Sequence, residues 1–566
     1  MNIKGFVTSD YSYAPELDKI VNIVEKFKNH PSISNIKKIV KIDQPFTFLP
    51  VSESVICDKI ESLDKRKPTT HNNIPTRILV ENKDIISPFI TEMYNESNRT
   101  SNFPNSLKLA DVTPVHKKKE RIIKGNYRNV SILPPVSKIY ERDMFDQISV
   151  YIDKYLSPFL CGFRKGYSTQ HCLMVMLDKW HKAIDSGKIA GALLTDLSKA
   201  FDCLNHELLI AKLEAYGFDL SSLSYIYSYL SDRKQRTKVN NSYSSWSGIT
   251  SGVPQGSILG PLLFNIYLND IFYFVSKCDI TNYADDTTPY SIDKTVDALL
   301  STLEAESNIL IKWFYDNYFQ INADKCHLII SKRSKDVFIN IEEEGIECSS
   351  SVKLLGITID NKLNFDEHVN KLCKKASQKI HALARISNFM PQEKLRIIMK
   401  AFVESQFGYC PLVWMFHSRT LNNRINKLHE RALRLVYKDT NLTFEELLRK
   451  DNSFTIHQMN LQKLATEMYK VRNDLSPTIM KSIFPERSLP YNLRYKNPFM
   501  ATNISSVFNG TETVSFRGPK IWLLVPEEIR NSKTLIEFKA RIKTWEPKGC
   551  TCRLCRAYVV DDLGFI

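Results

Sequence analysis

Nothing after Met1-Asn-Ile-Lys-Gly5 supplies the apolar core of a secretory leader, so the N-terminus does not read as an export signal. No run reads as a bilayer span either. The most apolar stretch, 258–275, is interrupted by Asn265, Asn269 and Asp270, which are costly in lipid. It reads instead as a buried helix. Nine of the twelve cysteines stand singly, among them Cys57, Cys161, Cys172 and Cys203. In a chain without an export signal they read as reduced thiols of an intracellular compartment. The tail alone groups three, Cys550, Cys552 and Cys555, and no histidine follows them. A structural zinc site wants four ligands, commonly at short spacings. Free thiols are therefore the expected state. Zinc is the alternative, with His457 or a partner chain as the completing ligand. Acidic residues are outnumbered, 62 to 77, for a net charge of +15, which implies an anionic partner. A 43% hydrophobic fraction over 566 residues excludes wholesale disorder and allows three or four domains.

The chemistry concentrates in Tyr283-Ala284-Asp285-Asp286. Successive strand residues face opposite ways, so two adjacent acids both project usefully only where the chain reverses. Holding like charges together at a turn calls for a cation, and magnesium prefers carboxylate oxygen. A solvated turn would also use Asp. A second segment favours the metal: the apolar run Gly191-Ala-Leu-Leu-Thr195 ends on Asp196, reading as a buried strand that delivers one carboxylate. A turn then leads into a helix near Asn205–Leu209. Asp196, Asp285 and Asp286 on neighbouring strands would suit two magnesium ions about 3.5–4 Å apart, with manganese able to substitute.

This pattern resembles the reverse transcriptases of non-LTR (LINE-type) retrotransposons, jockey-like branch, and further segments follow in the family's order. Pro114-Val-His-Lys117-Lys118-Lys119 and Asn126-Tyr127-Arg128-Asn129 resemble the segments that bind the incoming triphosphate. The resemblance gives Arg128 a phosphate contact through its fork of donors, and Lys117 or Lys118 a point charge. Asn129 replaces the family's usual proline. Cys161-Gly-Phe-Arg164 resembles a template-contacting stretch. Ser251-Gly-Val-Pro-Gln255-Gly256-Ser257 resembles the segment over the nascent base pair, where Gln255 would touch the nucleotide and glycine lets backbone approach it. Phe201 falls where the family keeps an aromatic gate against a ribose 2′-hydroxyl, and a core role is its alternative. Lys325 is the family's candidate general acid for departing pyrophosphate. Leu355-Gly356 resembles the hairpin that grips the primer end.

The resemblance implies an α+β right hand: fingers, a palm with an antiparallel sheet carrying the Tyr-Ala-Asp-Asp hairpin, and a helical thumb. Five regions are expected: a polar N-terminal segment over 1–50, an extension of the fingers over 51–110, and fingers and palm over 111–360. A thumb over 361–440 and a C-terminal region with its cysteine tail over 441–566 complete the chain. Val369, Leu372, Ala376, Ile380 and Leu383 mark one amphipathic helix. Arg424, Lys427, Arg431 and Arg434 share one face of another beside apolar Ile425, Leu428 and Ala432. Glu430 is the one acid in that stretch, so nucleic-acid backbone is the expected partner.

Family members usually carry an endonuclease ahead of the polymerase, and there is no room for one before residue 50. The expectation is a truncated copy, a fragment, or a host gene that kept only the polymerase. The implied activity is RNA-directed DNA synthesis from a primer 3′-hydroxyl with dNTPs. An RNA template and DNA primer are the partners, with the element's own RNA in a ribonucleoprotein and no membrane. Action in the nucleus would follow, with the cytoplasm as the other location. Two alternatives stand beside it. One is a catalytically silent, domesticated protein that binds RNA or RNA–DNA duplex. The other is a polymerase that makes RNA, against which Phe201 argues.

Overall fold

The computed structural model describes residues 17–555 except 71–73, 118–119, 241, 332–336, 342–343, 488–497, 501, 503, 506–510 and 512. Lys118, the alternative phosphate contact, lies outside the described residues. The chain divides into two compact units. The first comprises residues up to Ser157, Leu197–Ser276 and Ile309–Asn322; the second comprises Pro158–Asp196, Lys277–Asn308 and the chain from Ala323.

In the first unit, the polar N-terminal segment with its short apolar groups contains two helices, Leu17–Phe27 and Pro31–Ile39. Ile20, Ile23 and Phe27, then Ile33 and Ile36, recur at helical spacing and are all buried. Both helices pack on the helix His206–Ala215. Sparse apolar residues suffice here because they form one stripe with a partner to cover it. The apolar stretch forms the buried helix Gly260–Leu268, as its interrupting polar residues suggested. Asp270 and Asn269 are satisfied internally. Asp270 accepts from Lys212 Nζ at 2.5 Å and Trp313 Nε1 at 2.8 Å, and the ion pair is fully buried. Asn269 accepts from Ser157 N and donates to Tyr155 O and Tyr216 Oη. Such groups persist in a core only when fully bonded. A mixed sheet completes this unit: strand Leu109–His116 lies between antiparallel Tyr127–Ile132 and parallel Lys234–Val239.

In the second unit an antiparallel sheet is built from β1 (Ile189–Leu194), β2 (Asp279–Tyr283), β3 (Asp286–Asp293) and β4 (His327–Ile330), in the order β2-β3-β1-β4. All six residues of β1 are buried, which is why the strand reads as a continuous apolar run. The helix Thr169–Asp185 packs on this sheet, and its Trp180, Leu173 and Leu177 share a core with Ala190, Ala192 and Tyr290. The same core takes in the hairpin of strands Ser351–Leu354 and Ile357–Asp360 and one stripe each of the helices Asp366–Ile386 and Arg419–Tyr437. Val369, Leu372, Ala376, Ile380 and Leu383 are that stripe on the first of these helices. A further core joins the helix Ile456–Arg472 to Trp522, Phe538 and Trp545. Helices with antiparallel sheets match the expected α+β class.

Candidate active site

Strand register assembles the acids. β1 pairs with β3 from Ile189↔Asp293 to Ala192↔Tyr290, and the bridge Thr195↔Thr287 keeps the same register. One residue further sets Asp196 opposite Asp286. On its other side β1 runs from Gly191↔Ile330 to Leu194↔His327 against β4. Extending that register sets Lys325 opposite Asp196, and Lys325 Nζ lies 2.8 Å from Asp196 Oδ2. Thr195 fastens the junction by donating from N and Oγ1 to the Thr287 carbonyl, at 3.2 and 2.7 Å.

The third acid sits on the turn. Tyr283↔Asp286 closes the β2–β3 ladder, leaving Ala284 and Asp285 as a two-residue loop. Ala284 has φ +59°, a conformation that costs a residue with a Cβ about 1 kcal/mol. Its surroundings hold it there. Buried Asn282 donates through Nδ2 to the Ala284 carbonyl at 3.0 Å and to Thr287 Oγ1 at 2.9 Å. Cys161 N donates to Asn282 O at 3.1 Å. Gly162 lies directly against the turn, where a Cβ would stand 2.4 Å from Ala284 N. Sequence reading missed Asn282, whose only signal is an amide inside a strand next to a turn. It also gave the Cys161–Arg164 stretch to template contact, without this supporting role.

Electrostatics follow from the crowding. Burial first, then the charges of Asp285 and Asp196, push the Asp286 carboxyl up to about 6. Three hard oxygen donors that repel one another are the donor set a divalent magnesium ion fits.

The five nucleotide-binding candidates all fall in the first unit. Val115 faces Arg128 across its ladder, and strand alternation puts Lys117 on the same face as Arg128. Both cations are exposed. Ser131 N donates to the Gln255 carbonyl at 2.8 Å, so the Gln255 segment lies on the strand that carries Arg128. Gln255 Nε2 donates to Asp202 Oδ1 at 3.1 Å, and Phe201 stacks on Phe264 at 4.3 Å and 13°. Phe201 is half-buried, so its core role is visible. The glycine expectation needs refining. At Gly256 (φ +140°) a Cβ would stand 2.3 Å from Ser131 O, so the close approach seen is to the protein's own backbone. Buried Glu141, not foreseen, accepts from Ile258 N at 2.6 Å and Tyr229 Oη at 3.2 Å, anchoring the same segment.

The primer and template candidates are spread over the second unit. Arg164 donates to Leu160 O at 3.4 Å and lies 4.5 Å over the Tyr167 ring, bracing its own turn. Leu355 (φ +46°) and Gly356 (φ +85°) form a hairpin tip, where paired left-handed residues match strand twist. Tyr409 Oη donates to Leu355 O at 2.7 Å, and its ring lies where a Gly356 Cβ would make contact at 3.1 Å. On the helix Arg419–Tyr437 the expected basic row is divided. Arg424 donates to Asn370 Oδ1 at 2.5 Å. Arg434 pairs with Glu430 at 2.7 Å and donates to Thr440 O at 2.7 Å, serving the helix end. Lys427 and Arg431 extend into solvent.

With this geometry in place, comparison supplies the class. Residues 115–359 match the family described as reverse transcriptase (RNA-dependent DNA polymerase). The chain is 27% identical to a probable RNA-directed DNA polymerase from transposon BS of Drosophila melanogaster, over 71% of this chain and 48% of that protein. It is also 27% identical to the RNA-directed DNA polymerase from mobile element jockey of the same fly, over 75% and 47%. A probable polymerase from transposon X-element is 24% identical over 80% and 51%. The chain thus spans about half the length of the curated relatives it matches. Among the described residues no helix is long and apolar enough to cross a membrane.

Proposed function

We propose that the chain is an RNA-directed DNA polymerase that extends a primer 3′-hydroxyl with dNTPs on an RNA template. The observation that carries this reading is the common register of Asp196, Asp286 and Lys325 at the turn that bears Asp285. Asp196, Asp285 and Asp286 would hold magnesium, which when bound activates the attacking hydroxyl and offsets charge on the phosphoryl group. The primer hydroxyl gives up its proton to solvent water, and its oxygen forms a bond to the α-phosphorus as the bond to pyrophosphate breaks. Lys325 then gives its Nζ proton to the pyrophosphate oxygen. Arg128 and Lys117 bind the triphosphate, Gln255 and Gly256 hold the segment over the base pair, and Phe201 excludes a 2′-hydroxyl. Arg164, Leu355 and Gly356 steady template and primer end. The face of Arg424, Lys427, Arg431 and Arg434 follows the duplex backbone, with Lys427 and Arg431 as its principal phosphate contacts. In this reading the first unit supplies fingers and the second unit's helices the thumb.

Primer extension on an RNA template with four dNTPs tests the reading. Magnesium-dependent extension is expected. Soluble protein that binds RNA–DNA duplex yet adds no nucleotide with magnesium or manganese would leave a binding module instead.

The gate has its own expected result. Phe201→Ala should raise ribonucleotide use relative to deoxynucleotide use by roughly 10-fold or more, the scale of a small steric discrimination. Competition between dNTP and rNTP in single-turnover incorporation measures it, and an unchanged ratio would leave Phe201 as a core residue stacked on Phe264.

A further inference from the structure

The cysteine tail is not used by any part of polymerase chemistry, and the structure supplies what its spacing left open. His457 stands at the second position of the helix Ile456–Arg472. Its Nε2 lies 3.2 Å from Cys552 Sγ, 95 positions away in sequence. The ligand atoms of His457, Cys552 and Cys555 all lie within 4.8 Å of one another. The Cys550 thiol is within hydrogen-bonding reach of both Cys552 and Cys555. Zinc bonds of about 2.3 Å to sulfur and 2.0–2.1 Å to nitrogen imply tetrahedral ligand separations of roughly 3.5–3.8 Å. His457, Cys552 and Cys555 therefore come within about 1 Å of such separations, and Cys550, in reach of both sulfurs, is placed to supply the fourth ligand.

We propose that Cys550, Cys552, Cys555 and His457 bind one structural zinc ion that fastens the C-terminal tail to the start of this helix.

Three further observations support it. Cys550, Cys552 and His457 are buried, as in closed structural sites where the protein supplies all four ligands. The tail is docked by contacts outside the cluster. Gln462 Nε2 donates to Trp545 O at 2.8 Å, Arg517 Nη1 to Thr551 O at 3.0 Å, and Arg553 Nη2 to His417 O at 3.0 Å. The ligands are thus brought together whether or not sulfur bonds a metal. Charge also fits, because three thiolates and neutral imidazole around Zn²⁺ leave one negative charge at a helix N-terminus, where the dipole favours it. A set of three sulfurs and one imidazole selects zinc over magnesium or calcium. Each thiol that binds loses its proton to solvent, and no redox change is involved. The chief rival is a disulfide between two of the three cysteines, or plain buried thiols.

The test uses the full chain purified without chelator. Elemental analysis should find roughly one zinc per chain, and native mass spectrometry should show the ion on the intact protein. Mapped alkylation should find Cys550, Cys552 and Cys555 protected until a chelator or mercurial releases the metal. His457→Ala should lower zinc occupancy roughly 10-fold or more, whereas His457→Cys, which keeps four ligands, should retain it. Absence of zinc from the parent with the three cysteines freely alkylated, or found as a disulfide, would overturn the proposal. So would full occupancy in His457→Ala. Measurements on the parent stand even where a variant fails to fold, and none of them depends on polymerase activity.

Discussion

Asp286→Asn should abolish nucleotide incorporation, by roughly 10³-fold or more, the scale seen when a preorganised charge-stabilising group is removed, while RNA–DNA duplex binding persists. The side chain keeps its shape and loses its charge, so the experiment isolates electrostatics. The same substitution has a second, opposite effect. The Asp286 carboxyl is raised to about 6 by burial and by Asp285 and Asp196. A raised carboxylate is one the fold prefers protonated. Its favourable contribution is present below the usual carboxylate range and is lost as pH rises through about 6. Asparagine imitates the protonated form. In the absence of divalent metal, the variant should therefore melt above the parent at pH 7–8, and the two should converge as pH falls through 6 toward 4. Magnesium should raise the melting temperature of the parent and scarcely that of the variant, because metal and proton compete for the same oxygens. Thermal melts across pH, with and without magnesium, check this. Parallel curves for parent and variant would mean that the three acids do not share a field. Loss of duplex binding along with incorporation would mean that Asp286 is structural.

The acids were legible in the sequence because each announces itself locally. An apolar run ending on Asp196 is a buried strand with a charge at its end, and two adjacent acids demand a reversal. The partner of Asp196 was legible only as a loop lysine. That Lys325 stands beside it depends on strand pairing between distant segments, and pairing leaves no mark on either segment alone. Helical spacing correctly put Arg424, Lys427, Arg431 and Arg434 on one face, yet spacing does not say which cations are already engaged. Glu430, one turn before Arg434, claims that arginine, an i,i+4 pair readable in principle. Residues 17–39 were underestimated because their few apolar positions gain weight only when a covering helix exists. His457 was named as a completing ligand, but nothing local ties it to a cysteine 95 positions later. Glycine was read through the substrate, whereas Gly256 and Gly162 are required by close approach of the chain to itself.

Gly162 carries the last and most discriminating expectation. Gly162→Ala places a methyl 2.4 Å from Ala284 N and 2.9 Å from Ala284 Cα. Those are backbone atoms, so the methyl cannot be accommodated by a side-chain rotation, and the turn itself must move. The turn has little freedom. Asn282 holds its carbonyl, Cys161 N holds Asn282, and Ala284 already occupies a strained conformation. Relief must therefore come by sliding the Ala284–Asp285 loop away from Gly162, which carries Asp285 out of position against Asp196. Displacements of this size cost about 10²-fold in rate when reacting groups are held for in-line attack. Gly162→Ala should accordingly lose about that much in incorporation while melting cooperatively and binding duplex as the parent does. Gly248→Ala is the matched control, since a Cβ there meets nothing within 4 Å, and its incorporation should be unchanged. Equal activity in Gly162→Ala and the control would show that the turn tolerates displacement, and that the hold on Asp285 does not come from the glycine beneath it.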